Sequence, residues 1–251
     1  MTMVVVKTRR EIELMREACR ISAAALKLAG EAVKPGVTTG EIDQIAHDYI
    51  LSQGAEPNFL HYNGYPATAC ISINDEVIHG IPNRKRVIHE GDLVSIDLGA
   101  KKDGYHGDNA ATFAAGAISD EAKRLNDTTR ESLYEGIKAA VVGGRLGDIG
   151  AAIQEYCEAR GYSVVREFTG HGVGTALHED PAVPNYGTRG RGVRLVPGMT
   201  IAIEPMINLG KAGVKTMSDG WTVKTIDGKL SSHWEHTIVI TNDGPQILTV
   251  V

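Results

Sequence analysis

The chain repeats itself once at long range, and that repeat restricts the folds open to it more than any local pattern does. Gly36, Gly40, Glu41, Ile42, Tyr49 and Gly54 return as Gly143, Gly147, Asp148, Ile149, Tyr156 and Gly161, an offset of 107 residues. The same offset carries Gly91, Ile96 and Asp97 onto Gly198, Ile203 and Glu204. A second offset, 127, carries His106 and Asp108 onto His233 and Glu235. One long repeat excludes a short-period solenoid and implies two related halves, about 7–113 and 114–251. No linker-like stretch separates them, so the expectation is a single domain over residues 1–251, long enough to bury a good core.

Local patterns fill in each half. Thr8 and Glu11 form a capping-box signature ahead of an apolar face at Ile12, Met15, Cys19, Leu26, Ala29 and Val33, which Lys34-Pro35-Gly36 stops. Thr38 and Glu41 announce a second helix that ends at Gly54. Strands are expected at 67–73, 92–99 and 105–113. The second half repeats the plan, with helices near 120–141 and 147–160 and strands near 163–168, 199–206, 213–217, 221–225 and 236–241. The predicted class is α+β: a curved antiparallel sheet backed by helices in two pseudo-symmetric halves.

Net charge is mildly negative at −5 and no basic stripe is present, so a nucleic-acid face is not expected. Arg84-Lys85-Arg86 and the Arg189–Arg194 segment read as solvated loops. Cys19, Cys70 and Cys157 are odd in number and widely spaced, which points away from a disulfide framework or a zinc-binding cysteine pair. No apolar run approaches a membrane span, and a reduced, cytoplasmic setting is expected.

The chemistry concentrates in acids that stand where strands should be apolar. Asp97 lies inside Val94-Ser95-Ile96-Asp97-Leu98, and Lys101-Lys102-Asp103-Gly104 signals a turn into a strand through Asp108. If Ala100 pairs with Tyr105, Asp97 faces Asp108 directly. Two unit charges about 4 Å apart repel by roughly 4 kcal/mol at an effective dielectric near 20, so such a pair needs a proton or a cation between its members. A turn-capping role suits Asp103 but does not explain Asp97. Glu204 and Glu235 occupy the matching positions of the second half. Four such carboxylates suggest a site for two divalent ions, and His171, in Gly170-His171-Gly172, is the nitrogen donor best placed to complete it. Carboxylate-rich ligation favours manganese, iron or cobalt over a thiolate-type zinc site. His79 and His178 are either hydrogen-bonded structural histidines or donors to developing charge near a metal-bound carbonyl.

Taken together these residues resemble a type I methionine aminopeptidase of the minimal bacterial form, within the M24 metallopeptidases, over essentially the whole chain. The likeness is carried by Asn63-Gly64-Tyr65-Pro66, Ile71-Ser72-Ile73-Asn74, Val77-Ile78-His79-Gly80-Ile81-Pro82, Gly104-Tyr105-His106-Gly107-Asp108, Gly170-His171-Gly172-Val173-Gly174, Ile203-Glu204-Pro205-Met206, Asp219-Gly220-Trp221-Thr222 and Glu235-His236-Thr237. The resemblance implies a pita-bread fold and removal of the N-terminal methionine when the second residue is small. It implies two divalent ions (cobalt, manganese, iron or zinc) on Asp97, Asp108, His171, Glu204 and Glu235, with Asp108 and Glu235 bridging. Catalytic roles fall to His79, His178 and Glu204. Phe59, Tyr62, Tyr65, Cys70, Leu177 and Trp221, with the two histidines, would bind substrate. It further implies a monovalent cation near Asn74 and Ser231. The implied partners are nascent polypeptide N-termini at the ribosome, with no nucleic acid, no membrane and a monomeric enzyme. Met1-Thr2 is itself a substrate-like start. Two rival readings are an Xaa-Pro aminopeptidase or prolidase, which usually carries an added N-terminal domain, and a binding protein of the same fold that has lost catalysis.

Overall fold

The computed structural model describes residues 4–251, so Met1 and Thr2, read above as a substrate-like start, lie outside the described residues. The first half contains α1 (Arg9–Glu31), α2 (Thr39–Ser52), β1 (Glu56–Pro57), a 3-10 turn (Tyr62–Gly64), β2 (Ala69–Ile73), β3 (Glu76–Ile78), β4 (Leu93–Lys102) and β5 (Tyr105–Ala114). The second half opens with α3 (Asp120–Ala139), α4 (Leu146–Glu158), β6 (Ser163–Val164), β7 (Gly170–Gly172) and β8 (Glu179–Val183). It closes with β9 (Thr200–Ile203), β10 (Met206–Asn208), β11 (Val214–Thr216), β12 (Val223–Thr225), β13 (Ser231–His233), β14 (Glu235–Thr241) and β15 (Gly244–Ile247). A nine-stranded sheet runs β1-β4-β5-β14-β9-β7-β8, with β2 on β4 and β15 on β14. Two three-stranded sheets, β13-β10-β6 and β11-β12-β3, lie beside it. Every ladder whose register is described is antiparallel.

Both expected capping boxes form: Thr8 accepts from Glu11 N, Thr38 accepts from Glu41 N, and each glutamate reaches back to its cap. The repeat extends to individual hydrogen bonds. Gly36 N donates to Ile88 O at 2.8 Å, and 107 residues on, Gly143 N donates to Leu195 O at 3.0 Å. The bridge between Thr38 and Val87 is matched by the one between Arg145 and Arg194. Gly36 and Gly143, Gly54 and Gly161, and Gly91 and Gly198 all have positive φ, a backbone conformation that costs glycine nothing. Each half has its own apolar core, one beneath α1 and α2 and one beneath α3 and α4, and Trp234 packs against both.

Three expectations are corrected. The strand expected near 199–206 is broken at Glu204-Pro205 into β9 and β10, and the one near 163–168 shrinks to two residues. Proline has no N–H to continue a ladder, which accounts for the first break. In the β4–β5 hairpin, Lys102 pairs with Tyr105 across Asp103-Gly104, both at positive φ, in place of the expected Ala100–Tyr105 pairing. An Asp-Gly pair supports a two-residue turn whose twist matches the strands. Asp97 therefore sits opposite Ala110, and Asp108 opposite Gly99. The two acids share a face as diagonal neighbours, not as a direct pair.

The other face of β5 receives α1. Gly107 lies against the α1 backbone, Asn109 bonds Ser22, and the Phe113 ring covers Gly30. A Cβ added at Gly107 would stand 2.5 Å from both N and Cα of Cys19, so the helix would have to move. Gly107→Ala should lower unfolding free energy by about 1–3 kcal/mol, the usual effect of overpacking, read as a lower denaturant midpoint. An unchanged midpoint would mean that α1 has room to shift.

Candidate active site

Sheet register decides which acids meet. Residues directly opposite across a ladder point to the same face. Cys70 on β2 faces Asp97 on β4, Asp97 faces Ala110 on β5, and Ala110 faces Glu235 on β14. The β9–β14 ladder pairs Ile203 with His236, and its next step sets Glu204 beside Glu235. One row across the sheet therefore reads Cys70, Asp97, Ala110, Glu235, Glu204. In the adjacent row, Thr237 Oγ1 donates to the Asp108 carbonyl at 2.7 Å and Thr237 faces Ala202. Gly172 pairs with Ile201, so His171 continues that second row.

Asp108, His171 and Glu235 each place one donor atom within 4.8 Å of the others. His171 Nε2 stands 3.7 Å from Asp108 Oδ2 and 3.7 Å from Glu204 Oε1. Asp97 Oδ1, Asp108 Oδ1 and Glu235 Oε1 are buried without a hydrogen-bond partner. Stranded anionic oxygens of this kind are costly and call for a counter-charge. Burial first, then mutual repulsion, raises the pKa of Asp97, Glu204 and Glu235 well above the carboxylate range. Burial pushes Asp108 up to about 7. His171 Nδ1 lies 2.8 Å from Gly172 O, a contact that commits its proton there and leaves Nε2 as a free lone pair. Its pKa falls to about 3, through burial and then the nearby His178, so the ring is neutral as a metal ligand must be. The residues present fit a divalent cation.

A cavity of about 250 Å³ opens above the acids, lined by Phe59, Tyr62, Asn63, Tyr65, Cys70, His79, Asp97, Asp108, His171, Leu177, His178, Glu204, Trp221 and Glu235. It brings together every candidate site residue named from the sequence outside the monovalent-cation pair. Phe59, Tyr65, Ala67, Cys70 and Leu177 form a buried apolar cluster on one wall, with Trp221 edge-on to Tyr65 at 5.1 Å between ring centroids. His178 stacks on Tyr62, its Nδ1 2.9 Å from the Tyr62 hydroxyl, and its ring centroid is 4.1 Å from that of His171. His79 sits at φ 60 between Phe168 and Trp221, its pKa lowered to about 4 by burial and then by His178.

Other residues at the site were not singled out as candidates from the sequence. His233 is buried, with Nε2 unpartnered and 3.9 Å from Glu204 Oε2. The only signal it gave was its echo of His106. Asn185 Nδ2 donates to Glu204 O at 2.9 Å from a loop 19 residues earlier, a contact with no local signature. Asn74 and Ser231 are adjacent, with Ser231 N donating to Asn74 O at 2.9 Å, while their side chains bond Asp92 and Asn208. Glu76 beside them pairs with Arg86 at 2.7 Å and Lys224 at 3.6 Å.

The raised Asp108 pKa has a consequence for stability. A carboxyl whose folded-state pKa is about 7, against an ordinary 3.8, favours the folded state while protonated. That contribution is complete below about pH 4 and is lost as pH rises through about 7. Above about pH 6.5, where unfolding no longer adds protons to the buried His79 and His171, chelator-treated protein should therefore melt at progressively lower temperature up to about pH 8. Saturating Mn²⁺ should abolish the decline and Asp108→Asn should lessen it, since Asp97, Glu204 and Glu235 still titrate in the same sense. A melting temperature that rises over this range would refute the buried-carboxylate account.

Residues 13–242 match the model of metallopeptidase family M24. Methionine aminopeptidase 1 of Bacillus subtilis is 53% identical over 249 residues, 99% of this chain and 100% of that protein. The crystal structure of a methionine aminopeptidase from Thermotoga maritima superposes with a TM-score of 0.98 at 44% identity, covering 99% of this chain and 100% of that one. A prolidase from Pyrococcus furiosus shares the fold at a TM-score of 0.80 and 27% identity, with 98% of this chain covering 66% of it. The pita-bread architecture is thus common to all of these. By family model, full-length relative and fold alike, the chain belongs to metallopeptidase family M24, and within it to the methionine aminopeptidases.

Proposed function

We propose that this chain hydrolyses the first peptide bond of polypeptides that begin with methionine followed by a small residue. One observation carries the reading: an apolar wall meets, in one cavity, a cluster of carboxylates with unsatisfied buried oxygens. Asp97, Asp108, His171, Glu204 and Glu235 would together hold two divalent ions. Manganese, iron, cobalt and zinc all suit such oxygen-and-imidazole ligation. A monovalent cation near Asn74 and Ser231 rests on their adjacency. We take the whole chain as one monomeric catalytic domain that works in the cytoplasm on nascent chains as they leave the ribosome. Among the described residues no helix is long and apolar enough to cross a membrane.

When bound, divalent ions supply Lewis acidity toward the scissile carbonyl and acidify a water nucleophile. The protein's own groups do the rest. Phe59, Tyr65, Cys70, Leu177 and Trp221 take the methionine side chain out of water, worth roughly 1.5–3 kcal/mol. Glu204 takes the proton from the attacking water and passes it to the departing nitrogen as the carbon–nitrogen bond breaks. With the Tyr62 hydroxyl donating to His178 Nδ1, the His178 proton sits on Nε2, free to donate to the developing oxyanion. His79, held neutral by burial, bonds the substrate amide.

Metal-loaded enzyme should release methionine from Met-Ala-Ser and leave Ala-Pro intact, as followed by mass spectrometry. Cleavage of Ala-Pro alone would favour the prolidase reading, and cleavage of neither would favour a binding protein.

His178→Ala should lower kcat by roughly 10²–10³-fold while metal content stays at the wild-type level, as expected for loss of one oxyanion donor. Loss of metal in that variant would make His178 a ligand instead.

A further inference from the structure

The turn that carries Leu177 and His178 into the cavity is held from outside it. Glu179 closes the turn: its Oε1 accepts from Ala176 N at 3.2 Å and lies 3.5 Å from Thr175 Oγ1. Its other oxygen pairs with the ammonium of Lys7, which also donates to Val5 O at 3.3 Å. The two side chains are only 2% and 10% exposed. Removing one member of such a pair strands the other charge in a dry site. The pair packs directly on the backbone of Gly174, where an added Cβ would overlap Glu179 Oε1 and both Cε and Nζ of Lys7. Lys7 is itself anchored, since its N–H donates to Gly198 O at 2.8 Å and Val6 bridges Met199. Gly174 O, at the other end of the turn, accepts from His106 N at 2.9 Å on the hairpin that bears Asp108. Neither Lys7 nor Glu179 lines the cavity.

We propose that the Lys7–Glu179 ion pair is a positioning device for catalysis. It ties the segment entering α1 to the Gly174–Glu179 turn, so that Leu177 completes the apolar wall and His178 meets the reacting carbonyl. The inference rests on the role given to His178 above. Both residues act through the turn and touch no substrate.

Lys7→Met keeps an unbranched chain one atom shorter and removes its charge, while Glu179→Gln keeps an acceptor for Ala176 N. Each should lower kcat on Met-Ala-Ser by about tenfold to a hundredfold, the range expected when a reacting group is displaced by an ångström. Metal content should not change, and hydrogen exchange of the Ala176 amide should quicken. Lys7→Arg should recover most of the turnover. In a His178→Ala background, Lys7→Met should cost at most about twofold more, because the group it positions is gone. A full additional loss in that background would overturn the proposal. So would unchanged turnover together with unchanged Ala176 exchange. If Lys7→Met does not fold, Glu179→Gln carries the same readouts. Failure of the functional reading would look different: His178→Ala alone would then leave turnover intact.

Discussion

Four carboxylates gathered on one face of a protein sheet, two of them buried, repel one another, and much of the molecule is arranged around that repulsion. Asp97, Asp108 and Glu235 come from three strands and Glu204 from the break just after β9, two acids from each half of the chain. The halves meet through a short ladder in which Glu235 faces Ala110 and His236 faces Asn109. Were that pairing shifted by one residue, every side chain of β14 would turn to the opposite face and Glu235 would leave the cluster. The cores beneath the two helix pairs hold the ladder in place, with Trp234 wedged against both.

The groups around the acids gain their chemistry from the same burial. It keeps His79 and His171 neutral, as suits the donor toward substrate and the nitrogen ligand proposed for them. Burial also makes the apolar wall of Phe59, Tyr65, Cys70 and Leu177 a dry surface against which a thioether side chain gains free energy. Acids and wall share a cavity because Cys70 and Asp97 are cross-strand neighbours. On the proposed assignment, the specificity wall and the chemistry thus meet at paired positions of one ladder.

Much of this was readable in advance, for particular reasons. The capping boxes at Thr8 and Thr38 are local patterns with local causes, and both form. The glycines shared between halves mark places where the backbone needs positive φ or close approach, demands that leave a trace in residue identity. The hairpin register was misread because Lys101 and Lys102 looked like turn residues, whereas Asp103-Gly104 alone make the turn. Short strands such as β7, β8 and β13 escaped notice since three to five residues carry too little periodicity to register.

The sequence by itself determined that two related halves exist, that each brings two acids and an apolar frame, and to which family the residues point. Those properties follow from spacing and residue type, which need no third dimension. Tertiary structure alone decided that Asp97 and Asp108 are diagonal, that His233 and Asn185 reach Glu204, and that Lys7 holds the turn beside His178 from 172 residues away. Such contacts depend on how elements pack, and neither partner's surroundings in the chain encode the distance between them.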